Sequence, residues 1–184
     1  MKAVLISIQP KWCELIASGK KMVEVRKTKP KLKMPFKCYI YETQGRTETP
    51  WIDEDGHEIF KGRGQVIGEF VCDQIDEIGY SPEMHGKYIC DIDDIHYVSC
   101  LDFEQMFDYI ADGYGYAWHI SDLVIYDEPK ELSEFNYPPY RDCNIKCSKC
   151  KYGFAVDTIL GTEYDCDKTI TRPPQSWCYV EGLR

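Results

Sequence analysis

Charged and apolar side chains alternate in a short segment near the N-terminus, GKKMVEVR at positions 19–26. In a β-strand, successive side chains point to opposite faces, so Glu24 and Arg26 would share one face and the two valines the other. Lys20 and Lys21 precede the strand and can reach the charged face from a turn. The cations of such a set can contact phosphate, and its carboxylate can accept a hydrogen bond from the exocyclic amine of a nucleobase. A carboxylate beside a lysine can also act as a general base.

The neighbouring residues predict the elements that position this segment. The apolar, β-branched run Ala3–Ile8 predicts a strand. Pro10 favours the first turn of a helix, and Gly19 can end that helix in a left-handed conformation. We therefore expect a strand, a short helix over Pro10–Ser18, a turn, and a second strand with one packed face and one charged face.

This order of residues resembles the signature of the ASCH family, the activating-signal-cointegrator homology domains. The resemblance rests on Ile-Gln-Pro-x-Trp at positions 8–12 and on GKKMVEVR, and it continues at GQVIGEF (64–70) and GYAWHISDL (115–123). It implies an α+β, mainly β fold, a small PUA-like β-barrel with short flanking helices. It also implies a cleft that binds nucleic acid or a nucleoside-like ligand.

The resemblance leaves two functions open. The first is a binding module for RNA or a nucleotide- or nucleoside-like ligand, contacted by Lys20, Lys21, Glu24 and Arg26, with Trp177 either stacking on a base or simply packing. The second is a small amidohydrolase that acts on acylated nucleosides, with Lys21 and Glu24 as its catalytic residues. A bacterial member of the family removes the acetyl group of acetylcytidine with a Lys, a Thr three residues later and a more distant Glu. Glu24 stands where that Thr would be, so the sequence favours binding over catalysis.

The charge distribution is uneven along the chain. The net charge of −9 over 184 residues argues against a general nucleic-acid coat protein. Residues 1–37 nevertheless have a net charge of +8, and the remaining 147 residues have a net charge of −17. The Lys-rich segment Lys27–Lys37 is therefore either the phosphate-contacting border of a cleft or a solvated loop.

A second chemical signal lies in the C-terminal quarter, where three cysteines occur within eight residues. Cys143, Cys147, Cys150 and Cys166 could hold a structural zinc ion, with Cys178 as the substitute for the fourth ligand. The spacing of the first three also occurs in radical-SAM cluster motifs, but those precede a long α/β domain, and here few residues follow. The same thiols could also be unligated, or two of them could form a disulfide.

The remaining residues predict a barrel over 1–137 and a Cys-rich segment over 138–184, whose returning strand at about 171–183 packs on the barrel. Apolar residues spaced i, i+3, i+4 and i+7 predict an amphipathic helix over Leu101–Ala111. The polar stretch Gln44–Gly64 predicts a long loop.

The chain is expected to be cytoplasmic and without a membrane span, because its apolar runs are short and its N-terminus has no cleavage-like site. Its thiols should then be reduced. Five of the ten cysteines stand among apolar neighbours and are predicted to be buried: Cys13, Cys38, Cys72, Cys90 and Cys100.

Overall fold

The computed structural model describes residues 2–52, 56–81, 87–110, 113–138 and 169–183. In these ranges the chain forms mostly strands, with three short α-helices and one 3-10 turn at Leu132–Glu134. The elements in chain order are β1 (Lys2–Ile8), α1 (Pro10–Ala17), β2 (Val23–Arg26), β3 (Phe36–Glu42), β4 (Arg46–Ile52), β5 (Glu58–Lys61), β6 (Val66–Cys72), β7 (Ile75–Ser81), β8 (Lys87–Ile89), α2 (Ile95–Ser99), α3 (Phe103–Ile110), β9 (Tyr114–His119), β10 (Ser121–Lys130) and β11 (Trp177–Glu181).

Hydrogen bonds join the described strands into three sheets. Sheet A has the order β10-β6-β3-β1-β11, with β1 parallel to β3 and antiparallel to β11. Sheet B has the order β2-β9-β7-β8 and is antiparallel throughout. Strands β4 and β5 form a separate two-stranded ribbon. The predicted mainly β fold is confirmed, but pairing among the described strands does not close them into a barrel.

Three apolar clusters lie in layers around these sheets. The central cluster joins the inner faces of the two large sheets, with Val4 of sheet A and Trp118 of sheet B among its fully buried members. On the outer side of sheet B, Val25 packs with Met106 of α3. On the outer side of sheet A, Leu5 lies in a third cluster. Full burial of one such side chain stabilises the fold by about 1.5–3 kcal/mol, so these layers fix how the sheets face each other.

The structure bears out several local predictions. Helix α1 begins at Pro10 as expected and ends at Ala17, and Gly19 adopts the left-handed conformation with φ of 73°. Helix α3 lies within the predicted range, and Asp102 caps it by accepting from the backbone N–H of Gln105 at 2.8 Å. Strand β11 returns within the predicted 171–183 and pairs with β1.

Other predictions were wrong. The stretch Gln44–Gly64 is not a loop throughout, because it contains the ribbon of β4 and β5. Its polar composition predicted a loop, but pairing between strands satisfies backbone groups whatever the side chains are. Among the five expected buried thiols, Cys90 and Cys100 are only partly buried, whereas the other three are buried. No described helix has the length and apolar character needed to cross a membrane.

Candidate functional site

Lys21, Glu24 and Arg26 form a cluster of buried charges between the two large sheets. Glu24 Oε1 lies 2.9 Å from Arg26 Nη2, and Glu24 Oε2 lies 3.3 Å from Lys21 Nζ. The three side chains are only 2–8% exposed. Val23 and Val25 point instead into the apolar cluster behind sheet B. The alternation along β2 therefore produces the charged face that the sequence predicts, and we call these three residues the buried charge cluster.

Other parts of the chain hold the two cations of the cluster in place. Lys21 Nζ donates to the carbonyl oxygen of Ser99, at the end of α2, at 2.6 Å. Arg26 Nη2 donates to the carbonyl oxygen of Ser7 on β1 at 2.6 Å, and Arg26 Nη1 lies 3.4 Å from Ser176 Oγ. The buried charge cluster thus connects β2 with α2, with β1 and with the segment that leads into β11.

That last segment, Pro174–Ser176, lies against Ser7 beside the cluster. Ser7 Oγ donates to the carbonyl oxygen of Pro174 at 2.7 Å, and the Ser7 N–H donates to the carbonyl oxygen of Ser176 at 2.9 Å. We call Pro174–Ser176 the covering segment. It is anchored by hydrogen bonds from Ser7 and Arg26, and it is separated from both by more than a hundred positions of the chain.

Two buried donors on the inner face of sheet B have no hydrogen-bond partner among the described residues. These are Arg26 Nε and Trp118 Nε1. Trp118 lies directly opposite Glu24 in the β2–β9 register, so it shares the face that carries Glu24 and Arg26. Leaving a buried donor unsatisfied costs about 1–3 kcal/mol. These two N–H groups are therefore available to a hydrogen-bond acceptor from outside the described part of the protein.

Cys13 and Glu42 extend the polar region. Burial is the main cause that raises the pKa of the Cys13 thiol well above 9.0, and the carboxylates of Glu42 and Glu24 raise it further. Cys13 Sγ donates to the Ile8 carbonyl oxygen at 3.7 Å. Glu42 is itself buried at the end of β3 and accepts from the backbone N–H of Arg63 at 2.7 Å. Cys13 is therefore a neutral thiol, unsuited to nucleophilic attack.

Buried polarity is concentrated at this one place. Within the described residues, the buried polar or charged residues all belong to the cluster, contact it directly, or lie beside it; they are Ser7, Lys21, Glu24, Arg26, Glu42 and Ser99. Ser7, Ser99 and Glu42 were not predicted from the sequence. Two of them contribute backbone carbonyl groups, which every residue has, so no sequence pattern could identify them.

The structure separates Lys20 and Trp177 from the core of the site. Lys20 is exposed, and of the two lysines it is Lys21 that contacts Glu24. The half-buried Trp177 ring lies 5.9 Å from that of Trp118, and its Nε1 donates to Thr28 Oγ1 at 3.0 Å. These contacts support the packing interpretation of Trp177 and place it at the edge of the central cluster.

The lysines of Lys27–Lys37 divide into two groups. Lys29 pairs with Glu77 at 2.9 Å and Lys37 pairs with Glu69 at 2.5 Å. Acidic side chains from the rest of the chain therefore neutralise these two lysines. Lys27, Lys31 and Lys33 are exposed. Only part of the basic segment is thus available for phosphate contacts.

The four cysteines assigned to zinc, Cys143, Cys147, Cys150 and Cys166, lie outside the described residues, and the zinc site stays a prediction. Within the described ranges, no group of three or more His, Cys, Asp or Glu residues is placed to hold a metal ion. Cys178 is half-buried on β11, and burial raises the pKa of its thiol to about 11.

Comparison with known proteins agrees with this fold. The sequence model of the ASCH domain matches residues 6–129. The chain therefore belongs to the ASCH domain family, whose fold is PUA-like.

Solved structures of an ASCH protein from Zymomonas mobilis are similar to this chain. The crystal structure of that protein is 18% identical, with a TM-score of 0.55 over 97% of this chain and 87% of the other. A serine-to-alanine mutant of it is also 18% identical, with a TM-score of 0.53 over 97% and 88%. A tyrosine-to-phenylalanine mutant is 21% identical, with a TM-score of 0.50 over 72% and 77%. At these identities the similarity concerns the fold alone. No curated protein matches.

Proposed function

We propose that this ASCH domain is a binding module that recognises RNA or a nucleotide- or nucleoside-like ligand at the buried charge cluster. The observation that carries the proposal is the concentration of buried polar groups around Glu24, together with the two unsatisfied donors, Arg26 Nε and Trp118 Nε1. Removing a charge from water costs several kcal/mol, and apolar residues in place of a buried ion pair often stabilise a fold equally well. A ligand that uses these groups gives a reason for keeping them.

The charge balance of the site indicates which part of the ligand enters it. The buried cations Lys21 and Arg26 are matched by the buried carboxylates Glu24 and Glu42. A site without surplus positive charge suits a neutral group with acceptor atoms better than a phosphate. The carbonyl edge of a nucleobase is such a group, and it would satisfy the two free donors. Phosphates would then meet the exposed lysines of Lys27–Lys37.

Because the cluster is almost fully buried, a ligand reaches it only if part of the protein moves. The covering segment, Pro174–Ser176, is the element that we assign to this movement. It is held at the cluster by hydrogen bonds from Ser7 and Arg26. Each such bond contributes a net of about 0.5–1.5 kcal/mol, so a ligand of ordinary affinity can displace the segment.

Titration with labelled single-stranded RNA and with free nucleosides and nucleotides tests the proposal. Wild type should bind at least one of these probes. Glu24→Gln keeps the size of the side chain but removes its charge, and we expect it to weaken binding about tenfold or more. Glu77→Gln makes the same change in the exposed ion pair with Lys29; it is the matched control and should change affinity by less than about threefold. Equal effects of the two substitutions, or no binding of any probe, would contradict the proposal.

The amidohydrolase function finds less support in the geometry. Both oxygens of Glu24 are contacted by cations, and Lys21 Nζ is held by Glu24 and by Ser99. Glu24 would have to leave one of these ion pairs before it could take a proton from a water molecule, and the neighbouring Cys13 thiol is neutral. Incubation of wild type, Lys21→Ala and Lys29→Ala with acylated nucleosides decides between the two functions. Hydrolysis that is lost in Lys21→Ala and retained in Lys29→Ala would establish the enzyme in place of the binding module.

A further inference from the structure

Helices α2 and α3 expose a set of large aromatic side chains on the outer side of sheet B. Tyr97 is 72% exposed, Phe103 43% and Phe107 41%. Exposed apolar residues are normal when scattered singly, but several on neighbouring elements mark interaction surfaces. We call these three residues the aromatic face. It lies on the side of sheet B opposite to the buried charge cluster.

The two phenylalanine rings of the aromatic face are held in place by their neighbours. Phe103 and Phe107 are stacked one helical turn apart, with centroids 6.2 Å apart and an interplanar angle of 18°. Tyr80 of β7 meets Phe107 edge to face at 5.9 Å. The opposite side of α3 is anchored by Met106 and Ile110, which are buried against sheet B. A partner would therefore meet a surface that loses little conformational freedom on binding.

The two helices that carry the aromatic face, with the turn before α2, are rich in exposed acidic side chains. Residues 91–110 contain no Lys or Arg and six acidic residues. All six are exposed: Asp91, Asp93, Asp94, Asp102, Glu104 and Asp108. This surface would repel a nucleic-acid backbone, so its exposed rings do not serve RNA stacking. Charge complementarity indicates a partner that is both cationic and apolar.

We propose that the aromatic face is a docking surface for an arginine-rich amphipathic segment of another protein. Arginine matches both features of the surface, because its planar guanidinium stacks on aromatic rings and forms two parallel hydrogen bonds with a carboxylate. Phe103 and Phe107 would contact apolar residues of the partner, while Glu104 and Asp108 on the same helix would pair with its arginines. The proposal is independent of ligand binding at the buried charge cluster.

A synthetic amphipathic peptide with arginine and leucine at helical spacing is the probe, and fluorescence anisotropy of the labelled peptide is the measurement. Phe103→Ser together with Phe107→Ser should weaken binding about tenfold or more. Val124→Ser together with Ile125→Ser removes exposed apolar side chains from β10 and is the matched control, which should change affinity less than about twofold. Glu104→Gln together with Asp108→Asn should weaken binding about fivefold and reduce its salt dependence. A peptide of the same composition in scrambled order should bind about tenfold more weakly than the ordered one.

Several results would overturn the proposal. Equal loss in the Phe103/Phe107 and Val124/Ile125 variants, or equal binding of both peptides, would show attraction to an acidic protein without a defined surface. Self-association that the Phe103/Phe107 variant abolishes would assign the face to a second copy of the chain. Binding to anionic lipid vesicles or RNA through this face would assign it to those partners instead. RNA and nucleoside binding measured in the Phe103/Phe107 variant should equal that of wild type, which separates this test from that of the proposed function.

Discussion

Arg26 on β2 donates through Nη2 to the carbonyl oxygen of Ser7 on β1 at 2.6 Å, and this bond joins the two large sheets. The same guanidinium is held by Glu24 at 2.9 Å. The residues that we assign to ligand binding therefore also connect the layers of the fold. Substitutions in the buried charge cluster will change stability as well as affinity, so each binding experiment needs a measurement of unfolding beside it.

We predict that Glu24→Ala lowers the free energy of unfolding by about 3–5 kcal/mol, because it leaves the charges of Lys21 and Arg26 buried without their counter-ion. Chemical denaturation followed by circular dichroism measures this change. Glu77→Ala breaks the exposed pair with Lys29 and should cost less than about 1 kcal/mol. A loss for Glu24→Ala no larger than that of this control would show that the cluster does not hold the sheets together.

The second prediction concerns acid stability and rests on Glu69. Burial alone would raise the pKa of Glu69, but hydrogen bonds from Lys37 and from Tyr126 outweigh burial and bring it below its ordinary value of 4.5. A carboxylate with a lowered pKa in the folded state contributes stability that is present above pH 4.5 and lost as the pH falls through the folded-state pKa.

Tyr126→Phe removes one of these two donors, whose oxygen lies 2.6 Å from Glu69 Oε2. We expect the variant to lose less stability than wild type when the pH is lowered from about 7 to about 3. Denaturant unfolding at a series of pH values measures the difference. Tyr97→Phe, at an exposed position, is the matched control and should follow the wild-type curve. Parallel curves for wild type and Tyr126→Phe would refute the role given to Glu69.

The third prediction is that the buried thiols are inert in the folded protein. Burial raises the pKa of Cys13 and Cys38 well above 9.0 and that of Cys72 to about 12. Because only the thiolate reacts, iodoacetamide at about pH 8 should leave these three unmodified until denaturant is added. Peptide mapping by mass spectrometry identifies the modified residues. Rapid alkylation of native Cys13 would reopen the possibility of a nucleophile beside the cluster.

The fourth prediction is that each purified chain binds about one zinc ion, through Cys143, Cys147, Cys150 and Cys166. Elemental analysis of protein produced in zinc-supplemented medium measures the stoichiometry. Cys147→Ser should lower the zinc content, whereas Cys178→Ser should not, because Cys178 lies half-buried against the third apolar cluster on sheet A. A zinc content near zero in wild type would remove the metal site.

The sequence predicted those parts of the site that follow from local spacing. Alternation along β2 placed Glu24 and Arg26 on one face, and helical spacing of apolar residues predicted α3. It could not choose between Lys20 and Lys21, because a turn leaves the direction of both side chains open. Nor could it predict Ser99 or Ser176, which meet Lys21 and Arg26 across 78 and 150 positions of the chain. Contacts over such separations depend on how whole sheets pack.

The position of β11 also has a consequence for the nascent chain. Strand β1 is synthesised before the other described strands, yet its antiparallel neighbour and the covering segment come from residues 174–181, in the last described stretch. Until the ribosome has released that stretch, one edge of β1 stays open to pairing with other chains, and Arg26 has no Ser176 beside it. A chain broken off before this point would keep Lys21, Glu24 and Arg26 but expose both the site and a strand edge. Completion of the site thus coincides with protection of the protein from aggregation during its synthesis.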